Sequence, residues 1–170
     1  MKWYMPLENP LTDNNMKPIK LIIKAALIVG TLDILAAFLN FYIQTGKNPS
    51  IVLKYIASAA LGNTAAYDPT VVILLGLLFH FVIAFAFTIL FSFICDKLWY
   101  WFKNGYVIAI LYGILIWMVM NLLVVPNSLA PEIPFTWTKA LLNCAILIVC
   151  IGFPLSYLFF QNKQANSHNN

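Results

Sequence analysis

The chain has 170 residues, 62% of them hydrophobic and 9% charged, with a mean hydropathy of +0.83 and a formal net charge of +4. That balance excludes an ordinary soluble domain. All ten basic residues are Lys, and they punctuate apolar runs instead of clustering on a polar face, which argues against nucleic acid as a partner.

The length suits one domain. Residues 1–17 form a polar segment broken by Pro6 and Pro10, with Glu8 and Asp13 where the apolar stretch of a cleavable signal would stand. The first spanning helix is therefore expected to act as the insertion signal. Trp3 and Tyr4 suit a membrane interface.

The first span is predicted over residues 18–44. Lys24 is close enough to its start to snorkel back to the headgroups. Asp33 falls near the middle, where a charge is costly and turns toward a bundle interior or a wet cavity. At helical spacing Asp33 shares a stripe with Ala26, Gly30, Ala37, Asn40 and Gln44, small and polar against Leu, Ile, Val and Phe. Such stripes pack helix on helix in membranes.

Asn48 and Pro49 read as a cap and first-turn proline, and Gly62 as a terminator, so a helix is predicted over 49–61. It is too short to span and is expected to be interfacial or re-entrant. Asp68 and Pro69 repeat the cap logic and open a second span over 69–95. Gly76, His80, Ala84, Thr88 and Ser92 form its small and polar row. A short turn over 96–105 carries Trp99, Tyr100 and Trp101 as an interfacial aromatic group.

The third span is predicted over 106–125, with Gly113, Trp117 and Asn121 in one row. A proline-rich loop holding Glu132 follows. The fourth span is predicted over 138–160, with Asn143 near its start and a kink where Gly152 and Pro154 fall. Residues 161–170 are a polar tail with His168. The fold expected over 18–160 is one all-α membrane domain: four transmembrane helices plus the short helix between the first two.

With the N-terminus inside, Lys2, Lys17, Lys20, Lys24, Lys97, Lys103 and Lys163 face the cytoplasm and Lys47, Lys54 and Lys139 the outside. This asymmetry places both termini in the cytoplasm. At about 1.5 Å per residue, Asp33 and His80 each stand ~17 Å from the outer boundary, a matched depth for a proton relay or a buried structural hydrogen bond. Asn40, Asn121 and Asn143 each lie about one turn inside that boundary, an expected outer polar layer or ordinary interhelical amide bonding.

No nucleophile elbow, paired carboxylates, phosphate loop or Cys/His metal spacing occurs, so no enzyme, cofactor or metal is expected. Cys95, Cys144 and Cys150 read as small apolar helix residues. Three stretches carry a family resemblance: Gly30-Thr31-Leu32-Asp33, then Ile56 to Gly62, then Gly76 to Phe85 with His80 inside it. In that order they resemble the YagU-like group of small bacterial inner-membrane proteins, over residues 30–91. The resemblance implies a four-helix inner-membrane protein and points again to Asp33, Gly76 and His80; it implies no established activity. Two functions follow as expectations. One is a proton-responsive or transport-related protein using the Asp33/His80 pair. The other is a structural or assembly subunit, in a homo-oligomer or larger membrane complex, in which the pair serves packing through Gly30, Ala37, Gly76 and Ala84.

Overall fold

The computed structural model describes residues 19–131 and 136–167, with side chains up to Gln161. The expectations for the N-terminal segment, Glu132 and His168 lie outside the described residues. The described chain is all-α: α1 (Ile19–Thr45), α2 (Ser50–Leu61), α3 (Pro69–Phe102), α4 (Gly105–Met118), α5 (Trp137–Leu147) and α6 (Phe153–Ser167). Four segments are long and apolar enough to cross a bilayer: Ile19–Thr45, Pro69–Phe102, Gly105–Val124 and Trp137–Gln161. This is the architecture of a multi-pass membrane protein.

The short helix forms where its ends predict it. Asn48 Oδ1 accepts from the Ser50 amide at 2.9 Å, and Gly62 closes the helix at φ 68° with its amide 2.8 Å from the Ser58 carbonyl. A positive φ there suits glycine because any Cβ would be strained. Asp68 caps α3 by accepting from the Thr70 amide at 2.8 Å and the Val71 amide at 3.3 Å. These bonds hold its carboxyl below the ordinary carboxylate range, the Thr70 amide contributing most. A depressed folded-state pKa adds stability that is present above the unfolded pKa and is lost as pH falls through the folded one. Asp68→Ala is therefore expected to lower the melting temperature at neutral pH, with the gap to wild type closing in acid. A gap of equal size at both pH values would contradict the charged cap.

Two boundaries differ from expectation. The second span does not stop at Cys95; α3 continues through Asp96 to Phe102. Nothing between those residues breaks a helix, and Asp96 and Lys97 can sit beyond the apolar layer as an extension of the same rod. The reversal comes at Lys103, which adopts the left-handed conformation at φ 48°, and at Asn104, whose Oδ1 accepts from the Tyr106 amide at 2.9 Å. The predicted tail is also helical as far as Ser167.

The last two spans contain π-wound turns, at Val119–Val124 and Ile148–Gly152. In the second, the Phe153 amide bonds to the Ile148 carbonyl, five residues back. Pro154 offers no amide, so the wider turn lets the helix pass the proline where the sequence predicts a kink.

The spans form a ring in which α1 packs on α3, α3 on α4, α4 on the last span, and the last span back on α1. The helix α2 lies against α3. The buried apolar core fills the half of the bundle nearest Ile19 and Phe102, where Phe91 meets Tyr112 at 4.8 Å and Phe159 at 5.3 Å in edge-to-face contact. The Tyr112 hydroxyl donates to the Phe87 carbonyl. The other half, which carries α2, contains the polar stripe of α1.

Two of the helix contacts, one of them in the ring, are close enough to bring backbone against backbone. A Cβ at Gly76 would overlap the Leu53 carbonyl, so α2 can lie on α3 only over that glycine. A Cβ at Gly152 would overlap the Ala109 carbonyl, and one at Gly113 would come within 2.6 Å of the Ile148 Cα. Ala109 and Gly113 are one turn apart, as are Ile148 and Gly152, so the two helices cross antiparallel through reciprocal close contacts.

Candidate functional site

The site is built on α1 and α3. Their approach is tight at Gly30, where an added Cβ would lie 2.9 Å from the Phe81 ring and 3.1 Å from the Ala84 Cβ. Because Gly30 has no side chain, its carbonyl is open to α3. His80 is 8% exposed, and its Nε2 lies 2.8 Å from the Gly30 carbonyl oxygen. A carbonyl has no proton to give, so Nε2 carries the hydrogen and donates, and Nδ1 is left as the basic nitrogen of the neutral ring. The ring also stands edge-on to Phe81, with centroids 5.5 Å apart.

Helix carbonyls point toward the C-terminal end of their helix, and Asp33 follows Gly30 by about one turn. The imidazole therefore sits at the level of Asp33, and the carboxyl lies in Coulombic reach of His80. The hydrogen bond that His80 makes goes to the α1 backbone, which fixes the ring's tautomer and its height. Asp33 is half-buried, while Gly30, Gly76 and Ala84 are buried and Ala37 is half-buried.

Cys150, in the π-wound turn of the last span, also lies in electrostatic reach of Asp33. Sequence reasoning took this cysteine for an apolar filler. Nothing in its own helix marks it, because its relation to Asp33 runs across the bundle. Asp33 thus stands between two other titratable side chains, His80 on α3 and Cys150 on the last span. Among the described residues no group of three His, Cys, Asp or Glu side chains is placed to hold a metal ion.

The α1 stripe opens progressively from this level toward Thr45. Ala26 and Gly30 are buried, Asp33, Ala37 and Asn40 half-buried, and Gln44 exposed. Gln44 Nε2 donates to Asn40 Oδ1 at 2.7 Å, and Asn40 Nδ2 donates to Asn143 Oδ1 at 3.3 Å. Polar side chains therefore continue from the Thr45 end of α1 to within two turns of Asp33. In the other direction the residues beyond His80 are sealed. Thr88 turns its hydroxyl back to the Ala84 carbonyl at 2.8 Å, and the Phe91, Tyr112 and Phe159 rings fill the core.

The three-asparagine layer is only partly assembled. Asn40 and Asn143 are joined, whereas Asn121 is exposed and donates to the Trp117 carbonyl of its own helix at 2.9 Å. The physical reason is rotational. Matched depth sets the height of a residue, but the ring order puts α4 diagonally across from α1, and Asn121 finds its partner one turn back.

No known protein family, curated protein or solved structure matches the chain.

Proposed function

We propose that this chain is a proton-responsive membrane protein whose sensor is the Asp33/His80 pair. The observation that carries the proposal is the buried imidazole, tied at 2.8 Å to the Gly30 carbonyl with Asp33 in Coulombic reach. Histidine is the side chain whose ordinary titration falls between about pH 5 and 8. A proton arriving at Nδ1 creates a positive charge beside the carboxyl, and the two protonation events are linked. The group facing that charge is Asp33 on α1, which is itself in electrostatic reach of Cys150 on the last span. The polar side chains of Asn40 and Gln44 supply an approach from the α2-bearing side, and the aromatic core closes the opposite side. One-sided access suits sensing of that side's pH better than flux through a single chain.

The test uses the full chain in liposomes, with tryptophan fluorescence and proton flux followed against pH. A fluorescence transition is expected in wild type, and it should vanish in Asp33→Asn and in His80→Gln while both variants keep the wild-type far-ultraviolet circular dichroism. A pH-independent wild-type signal would overturn the proposal. A second function is favoured by one observation, the bond from His80 to Gly30, which ties α1 to α3. In that case the protein is a structural subunit, and His80→Gln lowers stability with no pH response in wild type to lose.

The membrane itself belongs to the proposal. Lys20, Lys24, Lys97 and Lys103 lie toward one end of the spans and Lys47, Lys54 and Lys139 toward the other. Together with the YagU-like resemblance, this supports a bacterial inner membrane with both termini cytoplasmic. Reporter fusions at Asn127 and Asn170 test it; a periplasmic signal at Asn170 would reverse the orientation.

A further inference from the structure

A cavity of about 180 Å³ lies where α2, the connector after it and the start of α3 meet, lined by Lys54, Thr64, Ala65, Tyr67, Pro69 and Val72. A cavity of about 150 Å³ holds a molecule the size of benzene. Backbone contacts hold each wall in place. Lys54 stands on α2, whose Leu53 carbonyl rests on Gly76 of α3. In the connector, Asn63 Oδ1 accepts from the Ala65 amide at 3.0 Å, and the Thr64 carbonyl accepts from the Tyr67 amide at 3.2 Å. Pro69 and Val72 belong to the first turn of α3, where the Val72 amide bonds to the Asp68 carbonyl at 3.1 Å. The cavity lies at the end of a span, and Tyr67 is 51% exposed, so a ligand enters from water.

The lining divides by chemistry. Lys54, Thr64 and Tyr67 bring one cation and two hydroxyls, and Ala65, Pro69 and Val72 bring apolar surface. Lys54 and Thr64 are half-buried. Among the described residues, none of the three polar side chains has a hydrogen-bond or ion-pair partner. A half-buried ammonium has given up part of its water shell, and a ligand with one negative charge restores what was lost. Asp68 does not fill that role, because its Oδ1 accepts from the Thr70 and Val71 amides. The same bonds occupy the first amides of α3, so recognition of an anion falls to the side chains of the cavity. The Asp68 carboxylate also stands next to Pro69 in the chain, and like charges repel, which disfavours a ligand with a second negative charge.

We propose that this cavity binds one short-chain monocarboxylate. The carboxylate accepts from the Lys54 ammonium and from the Thr64 and Tyr67 hydroxyls, and the alkyl chain lies on Ala65, Pro69 and Val72. One cation matches one negative charge, and the apolar wall matches an alkyl chain. Inorganic phosphate would bring further charge and set its oxygens against that wall, where they have no partner. The proposal is independent of the Asp33/His80 reading, because it uses none of those residues.

The probe is butyrate, which has as many non-hydrogen atoms as benzene. The full chain in dodecyl maltoside micelles is titrated with it, and binding is read by saturation-transfer nuclear magnetic resonance. Saturable binding is expected, with a Kd on the order of a few millimolar. Butyramide has the same shape without the charge and should bind at least about tenfold more weakly, as loss of one charge-assisted hydrogen bond predicts. Phosphate should not displace butyrate. Lys54→Met keeps an apolar stem and removes the charge, and it should weaken butyrate binding at least about tenfold. Ala65→Leu, at an exposed position of the connector, puts bulk into the cavity and should abolish binding. The comparison of butyrate with butyramide needs no variant. No saturable binding, equal binding of butyramide, displacement by an equal concentration of phosphate, or wild-type affinity in either variant would each overturn the proposal.

Discussion

Replacing Gly152 with alanine is expected to destabilise the bundle by about 3 kcal/mol, at the upper end of what overpacking costs. The obstacle is the Ala109 carbonyl, which belongs to the backbone of α4 and cannot turn aside as a side chain can. One turn along the crossing, Gly113 faces the Ile148 Cα, so a shift that relieves one contact tightens or opens the other. The helices would have to separate along the whole interface. In a membrane nothing replaces that loss, because lipid is as apolar as the helix faces and close packing holds the helices together. Gly76→Ala should behave alike, with α2 displaced from α3 by the Leu53 carbonyl. Gly105→Ala is the control, since its Cβ meets only ordinary contacts. Denaturant titration in micelles would measure all three. Equal stability of Gly152→Ala and Gly105→Ala would show that the crossing is not held by backbone contact.

Tyr112→Ala is expected to cost about 3 kcal/mol, the low end of the range for deleting a buried aromatic. Tyr112 is 1% exposed, and its ring stands against Phe91 at the centre of the core. The low end applies because removing a ring from a membrane bundle forfeits packing more than transfer from water. Tyr112→Phe separates the two contributions. It keeps the ring and removes the donor to the Phe87 carbonyl, so about 1 kcal/mol is expected. The same titration reads both variants. A cost for Tyr112→Phe equal to that for Tyr112→Ala would mean that the hydroxyl, not the ring, fixes α4 against α3.

The Tyr112 effect lies in the half of the bundle away from the polar stripe of α1, and this separation bears on the proposed sensor. The aromatic half holds the spans in place through packing that does not titrate near neutrality. In the proposed sensor, the half bearing Asp33, His80, Asn40 and Gln44 would change charge while the ring stays closed.

Much of the fold was legible in the sequence because the forces that set it are local. A run of apolar residues is compared with a fixed bilayer thickness, so the four spans and the short helix between the first two follow from length and composition. The caps at Asn48 and Asp68 and the stop at Gly62 are likewise local, each needing a particular residue type within three positions. Depth was legible too, since helical rise is constant. Azimuth was not. Which residues at one depth meet is decided by how each helix is turned about its axis, and here that is set by close contacts at Gly30, Gly76, Gly113 and Gly152. Only the tertiary structure could give His80 the Gly30 carbonyl as its partner, bring Cys150 within reach of Asp33, join Asn40 to Asn143 and leave Asn121 on its own helix. The continuation of α3 through Asp96 to Phe102 belongs with these. A charged residue ends an apolar run without ending a helix, and only the turn at Lys103 and Asn104 shows where the chain reverses.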